Sequence, residues 1–341
     1  VPDTDRFRLS DRSPRFRPRP QVRSLWGCLL FFPAILACLL VPIQAGAATE
    51  QDWIVTAKLK FLFGSHTSYE FGNPYSPYQV PLSRLEFPLN TIWAGFEVRR
   101  NLGRLSAGFE YLASLADQET DHFRDSDWDD DADPSRLSIF GETQCRVRPS
   151  FQLRADVDLQ IADLVGLPEG FILRPLVGYR WQHLAFMAHD GTQYVYGSAG
   201  EVLSSEWLPG NTISFQQDWC ALFGGLRLGY TWNRASWPHR LTVLGQADMG
   251  PVWGYNLDRH LLRGGDRATR EYTQGLAWHT SLGLELGLTE HLSLGVEGDY
   301  LGMETTGVHK LTFYDLGFRF SNGVRAWSQQ SSISVKLTYG F

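Results

Sequence analysis

The strongest constraint on this chain is a strict two-residue alternation that recurs along it and ends at the C-terminus. In the last eleven residues Ile333, Val335, Leu337, Tyr339 and Phe341 fall on one side, and Ser334, Lys336, Thr338 and Gly340 on the other. Successive side chains of a strand point to opposite faces, so this segment is an extended strand with one apolar and one polar face. Apolar residues outside and polar ones inside is the pattern of an outer-membrane β-barrel. Leu292, Leu294 and Val296 repeat it against Ser293, Gly295 and Glu297, as do Leu282, Leu284, Leu286 and Leu288 against Gly283, Glu285 and Gly287.

The spacing of these segments adds the topology. Short links fall at 101–104, 166–170, 233–239 and 289–291, and long polar stretches at 65–83, 116–150, 189–210, 257–270 and 303–328. Four short turns and five long loops connect ten strands. An even strand number leaves both termini on the periplasmic side and places every long loop outside the cell. The expected fold is all-β, a ten-stranded antiparallel transmembrane barrel. A soluble β-sandwich is the alternative, but it leaves the turn asymmetry and the terminal strand unexplained. Aromatics at 13% and 33 glycines suit a barrel with aromatic girdles.

The N-terminus reads differently. Leu25 to Ile43 is apolar, Arg23 precedes it and Ala45-Gly46-Ala47 follows. This is the arrangement of a secretory signal peptide over 25–47, with a transmembrane helix as the alternative. Residues 1–24 are expected to be a disordered extension or an over-called start, and 48–341 the barrel. Seven Arg against three Asp lie in residues 1–47, so of the chain's net −6 the remainder carries −10. Such a chain disfavours nucleic acid and favours cationic partners. The expected mature part keeps Cys145 and Cys220, whose pairing the spacing does not decide, and no CxxC or zinc spacing occurs.

Chemistry concentrates in two motifs, Asp125-Ser126-Asp127 and Asp258-Arg259-His260, each where a strand pattern runs into a polar stretch. Residues i and i+2 of an extended segment share a side. Asp258 can then orient His260 and support its protonated form, while Asp125 and Asp127 form a close carboxylate pair. Water between the two pairs could be deprotonated by His260 and attack a peptide carbonyl, with no metal or protein nucleophile. An EF-hand reading of Asp125, Asp127 and Asp129 fails, because Asp130 stands where glycine is needed and Arg136 where glutamate is needed. His122 is a competing base without so good a partner. An adhesin or structural barrel is the alternative outside enzymes.

These residues carry a resemblance. Asp125-Ser126-Asp127-Trp128 looks like the Asp-x-Asp-Trp motif of the omptins, and Asp258-Arg259-His260 like their Asp-x-His motif. Val177-Gly178-Tyr179, Tyr194-Val195-Tyr196-Gly197-Ser198 and Gly225-Leu226 are similar to family strand segments at matching spacing. The resemblance implies an outer-membrane endoprotease with Asp258 and His260 as activating dyad and Asp125 and Asp127 facing it. It implies cleavage at basic residues by two acidic positions. Glu70 falls on one, counted back from Ser83-Arg84-Leu85-Glu86-Phe87, and neutral Asn256 on the other. It also implies outer-membrane lipid as a partner, and lipopolysaccharide as activator in place of any cofactor. His183 and Asp218, however, stand where the family has arginines. The stretch 136–151 reads as longer than the family pattern and is expected to reshape the cleft.

Overall fold

The structure is a computed structural model that describes residues 52–72, 81–130, 132–232, 240–262 and 267–341. The expected extension, signal peptide and 233–239 link lie outside the described residues.

Among the described residues thirteen strands form one closed sheet: β1 (Trp53–Phe71), β2 (Ser83–Pro88), β3 (Ile92–Leu102), β4 (Leu105–Ser114), β5 (Gln118–Asp127), β6 (Ile139–Val147), β7 (Phe151–Leu159), β8 (Phe171–Tyr196), β9 (Val202–Trp232), β10 (Leu241–His260), β11 (Arg267–Gly287), β12 (Leu292–Phe313) and β13 (Phe318–Gly340). The ring nevertheless has ten positions, because three of the ten strands are interrupted. Toward the periplasm β1 is followed by β3, β4, β7 and β8, and toward the outside by β2, β5, β6 and β8. From β8 the antiparallel order runs to β13, which pairs with β1 from Ile54↔Gly340 to Phe71↔Val324. Closure leaves no strand edge, which a bilayer would not tolerate.

The interruptions lie side by side. Around them side chains replace the lost ladder bonds, as buried or lipid-facing backbone groups require. Asn90 Oδ1 accepts from the Ser65 amide at 3.0 Å, Gln118 Oε1 from the Ile92 amide at 2.8 Å, and Ser114 Oγ from the Ser150 amide at 2.9 Å. On β1 the same level carries a bulge between Phe63 and His66, with Gly64 at φ 56°.

Outside, Leu59, Phe61, Leu282, Leu284, Leu294, Val296, Ile333 and Val335 form an exposed apolar belt. Above it the outer face turns polar, and Glu304 pairs with Arg325 at 2.8 Å. Several strands continue past the belt. The polar stretches expected as loops are therefore largely strand: β8 reaches Tyr196 before β9 begins at Val202, and β12 reaches Phe313 before β13 begins at Phe318. The apolar period stops there because both faces meet polar surroundings, although the backbone ladder goes on. Asp125, Asp127, Asp258 and His260 consequently stand on strands, not in loops. The stretch 136–151 is mostly β6, a strand of the barrel wall.

The lumen is charged below and apolar above, with a cavity of about 650 Å³ at the periplasmic end lined by Lys58, Arg99, Asp158, Arg174 and Arg227. Near the periplasmic end Asp156 and Asp158 meet Arg99, Arg174 and Arg227. Higher up, Phe87, Phe123, Phe186 and Phe215 pack together, with Phe87 and Phe215 stacked at 4.2 Å. This apolar layer separates the lower charged cavity from the outward-facing end.

Candidate active site

Alternation on β10 sets the first half of the site. Asp248, Asn256 and Asp258 are buried on the inner face, and His260 follows at the strand's outer end. His260 Nε2 lies 3.1 Å from Asp258 Oδ2. The same oxygen accepts from the Tyr69 hydroxyl at 2.7 Å, across the lumen from β1. Burial works to raise the Asp258 carboxyl, but the His260 charge, its hydrogen bond and the Tyr69 donor hold it below the usual carboxylate range. Burial and the Asp258 charge push the Tyr69 phenol well up, so it stays a donor. A carboxylate acceptor at Nε2 implies a proton there, which leaves Nδ1 of His260 as the basic nitrogen.

Asp125 and Asp127 come from β5. They share the face of Phe123, a member of the aromatic layer, and pair in register with Leu85 and Ser83 of β2. Around the ring β5 and β10 are separated by β6, β8 and β9, so their inner faces look at each other. Asp125, Asp127, Asp258 and His260 together line one cavity of about 70 Å³. That is room for bound water, which needs only about 10–15 Å³. Among the described residues Asp258 Oδ1 has no hydrogen-bond partner. His122 is elsewhere, exposed and 3.3 Å from Asp121. Among the described residues no three His, Cys, Asp or Glu side chains converge as a metal site would require.

The two expected specificity residues part company. Asn256 faces inward, but its Nδ2 donates to Glu271 Oε2 at 2.6 Å. Glu70 does not reach the cleft. It alternates with Tyr69 and so lies on the opposite face. There Arg84 donates to it at 2.8 and 3.0 Å, and Arg325 lies 3.6 Å away. The inward position belongs to Tyr69, which no motif in the sequence marks. The same holds of Glu271. It is 1% exposed, and His309 Nδ1 lies 2.9 Å from its Oε1. Burial pushes the Glu271 carboxyl up, with the nearby Asp258 charge adding to it against the pull of His309 and Asn256. Two-residue spacing on β11 and β12 could have placed both inward, but nothing in their sequence marks them as partners.

Comparison with known proteins bears on this arrangement. The profile of the Omptin family matches residues 84–268, a span that includes both acidic motifs. The chain belongs to the omptin family. It is accordingly an outer-membrane barrel whose site opens to the outside. The outer membrane protease OmpT from Escherichia coli superposes at TM-score 0.73 with 14% identity, covering 87% of this chain and 99% of that one. The translocator domain of the autotransporter NalP from Neisseria meningitidis gives TM-score 0.34 at 11% identity over 92% and 96%, too distant to carry an argument. Comparison with curated protein sequences gives no match. On the outer face of this omptin Asp218 Oδ1 takes His183 Nδ1 at 2.9 Å and Trp181 Nε1 at 3.1 Å. Cys145 and Cys220 are both buried and form no disulfide with each other.

Proposed function

We propose that this omptin is an endopeptidase that hydrolyses peptide bonds with water activated between His260 and the Asp125–Asp127 pair. What carries the reading is the convergence of those three side chains and Asp258 on one cavity from strands on opposite sides of the lumen. His260 Nδ1 takes the proton of the attacking water. Asp258 holds the ring and stabilises the imidazolium, and Tyr69 fixes Asp258 in turn. Asp125 and Asp127 hold the water from the other side. The proton can then pass from His260 to the departing amine.

Cleavage near basic residues enters the proposal through the field of the rim, not through a matched pocket. Glu70 is held outside by arginines and Asn256 is neutral. Acidic charge crowded at 117–133 would still raise the local concentration of cationic peptides. No cofactor is proposed. Lipopolysaccharide activation draws no support from the His183–Asp218 pair, which offers no arginine to a phosphate.

The test is the barrel refolded in detergent, with and without lipopolysaccharide, offered a peptide library containing basic sites. The expected result is cleavage that His260→Ala and Asp125→Ala abolish. Cleavage surviving either substitution overturns the site, and folded protein that cuts nothing favours an adhesive or structural barrel.

A further inference from the structure

A second cavity adjoins the site and has an apolar wall. It measures about 390 Å³ and shares Asp125 and His260 with the smaller one. Phe123, Ile213, Trp207, Leu208, Pro209 and Leu262 form its apolar lining. Trp207 is 60% exposed and Leu262 49%, although both stand at the rim, beyond the lipid-facing belt. Large apolar side chains exposed together beside a site mark a binding surface more often than a solvated one.

A bend built into the β8–β9 hairpin puts that wall there. The register between the two strands shifts at His189 and Gly191. Asp190 adopts φ 44° and Gly210 φ 69°, and Asp190 Oδ1 accepts from the Gly210 amide at 2.7 Å. Gly191 lets the bent hairpin press onto β6, since a Cβ there would lie 2.3 Å from the Glu142 carbonyl oxygen. Trp207, Leu208 and Pro209 thereby join the wall of the cavity that Asp125 and His260 also line.

We infer that this cavity is a subsite for a bulky aromatic or aliphatic side chain of the peptide, adjacent to the bond cleaved. The inference rests on the endopeptidase reading and names the substrate feature that reading leaves open. The cleft is lopsided. The 70 Å³ lobe on the other side of His260 is lined by Asp125, Asp127, Asp258, Arg267 and His309 and is too small for a bulky apolar side chain. Only the β8–β9 side has the volume and the apolar lining for an aromatic ring, whose burial removes about 150–250 Å² from water.

The experiment uses peptides carrying Phe, Leu, Ala or Lys at each position flanking the cleaved bond. kcat/KM is measured for each, and the same peptides are titrated against a His260→Ala variant to read binding without turnover. At one flank Phe and Leu are expected to exceed Ala by roughly tenfold or more, in line with what apolar pockets discriminate. Trp207→Ala should erase that ratio. Peptides cut without any Phe-over-Ala preference overturn the subsite and leave the endopeptidase standing. Preferential binding of Phe peptides that Trp207→Ala erases, with no peptide cut, upholds the subsite and overturns the endopeptidase. No cleavage and no preference in binding overturn both.

Discussion

At the residue scale the site depends on one carboxylate oxygen. Asp258 Oδ2 takes both His260 and Tyr69, so each donor can be removed separately. His260→Ala should lower kcat/KM by on the order of 100-fold or more, the usual contribution of a general base. Tyr69→Phe keeps the ring and removes only the hydroxyl. Because the hydroxyl helps depress the Asp258 pKa, its loss should raise that pKa and move the acid limb of the pH–rate profile to higher pH. An acid limb that stays in place would show that Tyr69 does not tune the dyad. The same sign governs stability. A depressed carboxylate stabilises the fold above its unfolded pKa, and that contribution is lost as pH falls through the folded value.

Among elements the β8–β9 hairpin is the informative one. Both strands run well past the lipid belt, and the bend at Asp190 and Gly210 turns their outer part toward the site. Gly191→Val should force the β6 backbone away, since a Cβ there meets the Glu142 carbonyl oxygen at 2.3 Å and Thr143 Cα at 2.5 Å, both main-chain atoms. Hydrogen exchange should then quicken in β6 and the outer halves of β8 and β9, while β10 to β13 keep their protection. Uniform quickening around the ring would contradict that localisation. The hairpin also shows why the sequence pattern predicts loops where the strands continue. Hydrophobic alternation reports a contrast between two environments, and beyond the bilayer that contrast fades while hydrogen bonding does not.

For the whole molecule the decisive feature is a ring closed around charged side chains. Asp158 is 1% exposed and meets Arg99, Arg174 and Arg227. Asp158→Ala removes the carboxylate that holds Arg174 and leaves Arg99 and Arg227 to share Asp156, and should cost about 3–5 kcal/mol in denaturant unfolding of the reconstituted barrel. An unchanged midpoint would mean that water in the lower cavity carries those charges. The net charge acts from outside as well. If the acidic rim gathers cationic peptides, their kcat/KM should fall as ionic strength rises and that of neutral peptides should not.

The sequence by itself determined the ten-strand barrel, its orientation and the two acidic motifs, because alternation, turn length and i, i+2 spacing are local properties. It could not say which faces meet. Lys58 and Lys60 point inward, and counting on by twos from them puts Glu70 inward too. The bulge between Phe63 and His66 inserts a residue and reverses the parity, so Tyr69 enters the lumen and Glu70 leaves it. Glu271, His309 and the Trp207 wall are likewise products of closure. They acquire their neighbours only when strands distant in sequence are brought together around one lumen.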